Sequence, residues 1–138
     1  MPKKTYFISI LSLLLICFCS CQESMEERAE RDAHNYTRKF CPTPFVNYIR
    51  TDSVTFDIQT RTFVYHCTFG DILDDKEIIA TNQKKIENIL TASVRESTSM
   101  KPYVEANFHF IYLCRSEKNP KDILVQVSFW TKRGQTEG

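Results

Sequence analysis

The sequence predicts a two-layer α+β domain: a four-stranded, largely antiparallel sheet with helices on one face. Three observations carry this reading. Apolar and polar residues alternate in "SVTFDIQTRTFVYHCTF", and inward-phase residues recur at every second position in "FHFIYLC" and "ILVQVSFW", the period of strands that bury one face. Two stretches with helical spacing, residues 22–40 and 78–94, precede these strand pairs and give the order helix, hairpin, helix, hairpin. Charged residues are 25% and hydrophobic ones 42% of 138 residues, ordinary usage for one folded domain. The two helix–hairpin halves do not align residue by residue, so no internal repeat is claimed.

The first segment is an address. Lys3 and Lys4 precede a mostly apolar run from Tyr6 to Cys19. A membrane-spanning helix needs about 20 apolar residues, so this short run behind a positive start reads as a secretory signal. It ends in "FCSC" and gives way at once to Gln22, Glu23, Glu26 and Glu27. The junction resembles a bacterial lipoprotein signal, whose lipobox ends in an obligatory Cys preceded by small residues. Cys19 and Ser20 are small, and Phe18 stands where Leu is usual. The resemblance implies diacylglyceryl transfer to the Cys21 thiol, cleavage before it, and acylation of the new amine. Cys19, behind bulky Phe18, and Cys17, behind Ile16, fit less well, and a plain signal peptide cleaved nearby is the other reading. Each buried methylene contributes about 0.8 kcal/mol, and two or more chains hold a protein on a bilayer where one does not. The following "QESMEERAE" resembles surface-export signals of Bacteroidetes lipoproteins and is equally an acidic linker, so a periplasm-facing and a cell-surface position both stay open.

Residues 21–40 form an N-terminal tether or helix. Met25, Ala29, Ala33, Tyr36 and Phe40 give it one thin apolar stripe. "CPTPF" stops it, because Pro42 and Pro44 remove donors and restrict their neighbours. The α+β domain then spans residues 41–131. Val54, Phe56 and Ile58 alternate on its first strand; Phe63, Tyr65, Cys67 and Phe69 alternate on its second, with a tight turn near Gln59–Arg61. Asp74 with Glu77 three residues on is close to a capping box. Behind it Ile78, Ile79, Ile86, Ile89, Leu90 and Val94 mark a helix of about 20 residues, roughly 30 Å long, interrupted by Asn82 and Ser93. Pro102 and Asn107 bracket one short helical turn. Phe108, Phe110, Tyr112 and Cys114 share one face of a strand whose other face carries Ile111 and Leu113, which makes it central. Ile123, Val125, Val127 and Phe129 point inward on the last strand, and residues 132–138 are a polar tail.

From Cys41 onward, "CPTPFVNYIRTDSVTFD", "FVYHCTFGDILDDKEIIATN" and "KPYVEANFHFIYLC" resemble a group of small Bacteroidetes envelope lipoproteins. That resemblance implies no assigned activity and carries over no site residue. The arrangement is also similar in topology to PepSY-type and beta-lactamase-inhibitor modules, and topology alone does not fix function.

Several chemistries can be weighed from residue types. Without residues 1–20 the chain keeps 16 basic residues against 17 acidic ones, a net charge of −1, and nucleic-acid binding needs a concentrated basic face. Cys67 and Cys114 share the inward phase of two strands. If those strands are neighbours, opposed Cα atoms lie about 4.5–5.5 Å apart, within disulfide reach. Cys41 with either one, or three buried thiols acting as small hydrophobes, are the alternatives. His66 neighbours Cys67 in sequence, but adjacent strand residues point to opposite faces, which argues against a dyad. His66 and His109 share the outer phase and would begin a zinc site only with further ligands; no third ligand stands at suggestive spacing. His34 lies among charges and reads as solvated. Asp71, Asp74, Asp75 and Glu77 lack the spacing and internal Gly of a calcium loop and read as helix capping. There is no Gly-rich phosphate loop, GxSxG or HExxH. No catalytic residue, metal or cofactor is therefore assigned.

The functional expectation is a non-catalytic, lipid-anchored protein of the bacterial cell envelope. Its membrane contact is acylated Cys21, and its outer sheet face, with His66, His109, Gln126, Ser128 and Trp130, meets a protein or other envelope component. Trp130 is either an exposed contact anchor or covered by the N-terminal helix. An inhibitor or immunity protein against an envelope hydrolase or toxin is the second expectation. A small enzyme is the third, and it requires a deep polar pocket with a perturbed titrating group.

Overall fold

The computed structural model describes residues 21–131; the signal segment 1–20 and the polar tail 132–138 lie outside the described residues. Helix α1 (Met25–Phe40) starts at Ser24, whose hydroxyl accepts from the Glu27 amide at 3.1 Å while the Glu27 carboxylate accepts from the Ser24 amide at 3.0 Å. This reciprocal cap satisfies two of the donors that a helix start leaves orphaned. Of its apolar stripe, Ala29 and Ala33 are buried, whereas Met25, Tyr36 and Phe40 are exposed. Small residues let the helix lie close against the domain, and it is no loose tether.

Strand β1 (Ile49–Asp57) and strand β2 (Thr62–Phe69) form an antiparallel hairpin. The turn between them is held by Asp57 Oδ1, which accepts from the Gln59 amide at 2.8 Å and the Thr60 amide at 3.3 Å. Arg61 closes the turn at φ 53°. The strand ends before Ile58, which is exposed in the turn instead of continuing the inward alternation. Helix α2 (Lys76–Arg95) is capped by Asp75, not by Asp74: Asp75 Oδ1 accepts from the Glu77 and Ile78 amides. Asp74 is buried and accepts from the Lys118 amide at 2.8 Å, so it ties the start of α2 to the far hairpin. Ile79, Ile86, Leu90 and Val94 carry the buried stripe, while Ile78 and Ile89 are exposed.

A short helix α3 (Lys101–Glu105) leads through Asn107, at φ 58°, into strand β3 (His109–Ser116), followed by strand β4 (Ile123–Trp130). Sheet order is β1-β2-β3-β4. The two hairpins are antiparallel, but β2 and β3 run parallel. The sheet is largely antiparallel, as expected, with one parallel pair at its centre that makes it mixed. The cause is the connection: a parallel pair needs a crossover, and α2, at 20 residues, is long enough to return the chain to the end where β2 began.

The described helices cover one face. Phe63, Phe69, Phe108, Phe110 and Tyr103 are fully buried beneath them, with Phe110 stacked against Phe63 and Phe129 at ring-centroid distances of 5.4 and 5.6 Å. Ile123, expected inward, is exposed. A register shift between Cys114 and Arg115 pairs Ile123 with Arg115 and so moves it to the outward phase.

Candidate functional site

Among the described residues no helix lies over the opposite face of the sheet. Residues of β1 to β4 cross it in rows set by the register. The first row is Asp57, Thr62, His109 and Trp130; the second is Thr55, Val64, Ile111 and Ser128; the third is Ser53, His66, Leu113 and Gln126. The middle of the face is apolar, with Val64, Ile111 and Leu113 half-buried by their neighbours, and Gln126, Ser128 and Trp130 line one margin, exposed. An apolar centre inside a polar rim is the anatomy of a protein contact surface.

The rim is ordered by hydrogen bonds within the sheet. His109 stacks on Trp130 at 4.3 Å between ring centroids, and its Nε2 and Nδ1 lie 2.6 Å from Ser128 Oγ and 3.3 Å from Thr62 Oγ1. Trp130 is therefore an outer-face residue, not one covered by α1. At the other end a bulge at Thr51–Ser53 inserts Asp52. Its carboxylate accepts from Thr68 Oγ1 at 2.5 Å and from Arg50 Nε at 2.7 Å. Partial burial lowers the pKa of both His66 and His109, and nearby Arg115 depresses His66 further against the opposing pull of Asp52. Both imidazoles are thereby biased toward their neutral forms.

The two histidines do not face each other. His66 pairs with Leu113, and His109 with Thr62, four positions along β2. Among the described residues no group of three His, Cys, Asp or Glu side chains is placed to hold a metal ion. The acidic stretch is likewise spent locally: Asp75 caps α2 and Asp74 bonds the Lys118 amide.

On the covered face, Cys67 and Cys114 are direct register partners in β2 and β3 and are both buried. The Cys67 thiol donates to Thr51 Oγ1 at 3.9 Å. Cys114, beside Cys67 and cut off from water, is held far above the ordinary thiol range and stays protonated, while Cys67, beside Cys114, is shifted downward. Cys41 is half-buried at the end of α1, its thiol pushed up by burial. Cys21 is exposed, ahead of the Ser24 cap.

Sequence periodicity gave no sign of a cleft of about 260 Å³ between α1 and α2. Asp32 and Tyr36 form one wall, Ser93 and Ser97 the other, and Tyr65 and Tyr112 the floor. The floor tyrosines stack at 4.7 Å, and Ser93 Oγ lies 2.7 Å from the Tyr112 hydroxyl. Burial raises both tyrosine pKa values well above the ordinary range, so the floor offers neutral hydroxyls. Ser93, an interruption of the apolar stripe in the sequence, is the only readable signal of this feature.

Comparison with known proteins gives two matches. A family model described as "Domain of unknown function (DUF8479)" matches residues 24–125. The crystal structure of a "putative secreted protein" from Pseudomonas aeruginosa superposes with a TM-score of 0.62 at 14% identity, covering 78% of this chain and 95% of that one. At that identity the likeness establishes the fold alone. No curated protein matches the chain.

Proposed function

The chain belongs to the DUF8479 family, and from that premise we propose that it is a lipid-anchored, extracytoplasmic binding protein of the bacterial envelope that presents its open sheet face to a protein partner. The observation that carries this reading is the division of the sheet into one face buried under helices and one left open, with Val64, Ile111 and Leu113 at its centre and Trp130 and Arg115 on its margins. Tryptophan and arginine are the side chains that most often anchor protein contacts. The ordered rim around His109 and Asp52 supports it, because groups already held in place lose little freedom on binding.

Three observations support the location and the anchor. The structural neighbour is described as secreted. Among the described residues no helix is long and apolar enough to cross a membrane. Cys21 is exposed just ahead of α1, so acyl chains on it would not disturb the core. The lipobox resemblance supplies the chemistry: a thioether to diacylglycerol and an acylated amine.

A photo-crosslinking residue at position 113, in cells carrying the native protein, should capture a discrete envelope protein. The same residue at position 85, on the exposed side of α2, should not. No adduct at 113, or the same adducts at both positions, would overturn the assignment of the face. The anchor is tested separately: Cys21→Ser should release the protein from membranes, and a variant that stays membrane-bound would rule out acylation there.

A further inference from the structure

The two edges of the sheet are treated differently. On β1 the outward main-chain groups are covered in turn: Val46 bonds Ile49, Thr43 bonds Thr51, and Thr37 Oγ1 bonds both the amide and the carbonyl of Val54 at 2.8 Å. A bulge and the charges of Arg50, Asp52 and Asp57 add to this. These are the devices by which proteins keep an edge from pairing with another chain.

β4 has one bulge, at Leu124 near its start, and from Val125 to Trp130 none of these devices. The His109 amide donates to Arg61 O at 3.1 Å, so His109, Ile111 and Leu113 direct their main chain toward β2. Phe110, Tyr112 and Cys114 therefore face β4 and pair with Phe129, Val127 and Val125. It follows that the main-chain groups of Gln126, Ser128 and Trp130 point away from the sheet. Among the described residues none of them has a hydrogen-bond partner. "ILVQVSFW" carries no charge and no proline.

We infer that this edge pairs with the same edge of a second copy, giving a two-fold dimer with one continuous eight-stranded sheet. The sequence of β4 is complementary to its own reverse. With the axis at Val127, Gln126 lies opposite Ser128 of the second copy and Ser128 opposite its Gln126, polar with polar on the outer face. Val127 meets Val127 and Val125 meets Phe129, apolar with apolar. Cross-strand pairs of like polarity are the unit of sheet stabilisation, and an isologous contact makes each off-axis pair twice. An axis normal to the sheet keeps both helix layers on one side and puts both α1 helices, each beginning near its Cys21, at the far edges. Two anchors then stand at equal height.

The inference rests on the edge alone and needs no envelope partner, so its test is separate from that of the outer face. Sedimentation equilibrium of the full chain, with reductant and in a detergent density-matched to the solvent, should give twice the monomer mass. Gln126→Lys with Ser128→Lys places lysine opposite lysine twice and should halve that mass. Gln126→Lys with Ser128→Glu places opposite charges there and should restore it. Circular dichroism checks that each variant is folded; these side chains are exposed. A wild-type chain that stays monomeric up to hundreds of micromolar, a double-lysine variant that keeps the dimer mass, or a lysine–glutamate variant that stays monomeric would overturn the inference.

Discussion

Cys67 and Cys114 stand directly opposite each other across the parallel centre of the sheet, and both are buried. No strand movement is needed to link them, because neighbouring strands lie about 4.8 Å apart, within the Cα separation a disulfide requires.

In an oxidising envelope these two thiols should lose two hydrogens and form one bond. Denaturing alkylation without reductant should leave both unmodified and yield one linked peptide pair, while Cys41 takes the label. The bond closes a long loop and by chain entropy stabilises the fold by about 4 kcal/mol. If both cysteines alkylate in protein taken from its native compartment, they are reduced core thiols and nothing more.

Thr37 closes the β1 edge at Val54. Thr37→Val keeps the shape of the side chain and strips the Val54 amide and carbonyl of their partner. Leaving such groups unpaired costs about 1–3 kcal/mol, which urea unfolding should read as a lower midpoint, with Thr37→Ser close to wild type. An unchanged midpoint in the valine variant would mean that water replaces the hydroxyl.

Phe110 is fully buried between Phe63 and Phe129. Phe110→Ala empties the centre of the aromatic stack and should cost about 3–5 kcal/mol. A loss under about 1 kcal/mol in the same measurement would show that the core is not closed there.

The lowered pKa values of His66 and His109 set a direction for pH. The unfolded chain protonates these rings near pH 6.5, before the folded one does, so it binds more protons as pH falls and folding stability declines with it. Stability by urea titration should therefore drop between pH 7.5 and pH 5.5, above the carboxylate range. The double variant His66→Gln, His109→Gln should flatten that slope. A slope that survives both substitutions assigns the effect to other groups.

Much of this architecture is legible in the residues. Alternation places Phe63, Cys67, Phe110, Cys114 and Val127 on one face of the sheet and His66, His109, Gln126, Ser128 and Trp130 on the other, as the structure has them. The short turn before β3 is marked by Pro102 and Asn107. One cap is misread by a single residue, since Asp74 and Asp75 differ only in which helix turn each can reach. Ile123 is misread because a bulge shifts phase without any signature in residue type.

The sequence by itself determined which segments are helices and strands and which side of each is apolar, because those depend on the local period of the chain. Tertiary structure alone decided that β2 and β3 run parallel, that Cys67 meets Cys114 while His66 does not meet His109, that Tyr65, Tyr112 and Ser93 line a cleft, and that β1 is sealed while β4 is bare. Each of these turns on which distant segment supplies a hydrogen-bond partner. A residue's own side chain and near neighbours carry no record of that; it is settled only when α2 crosses over and brings the two hairpins side by side.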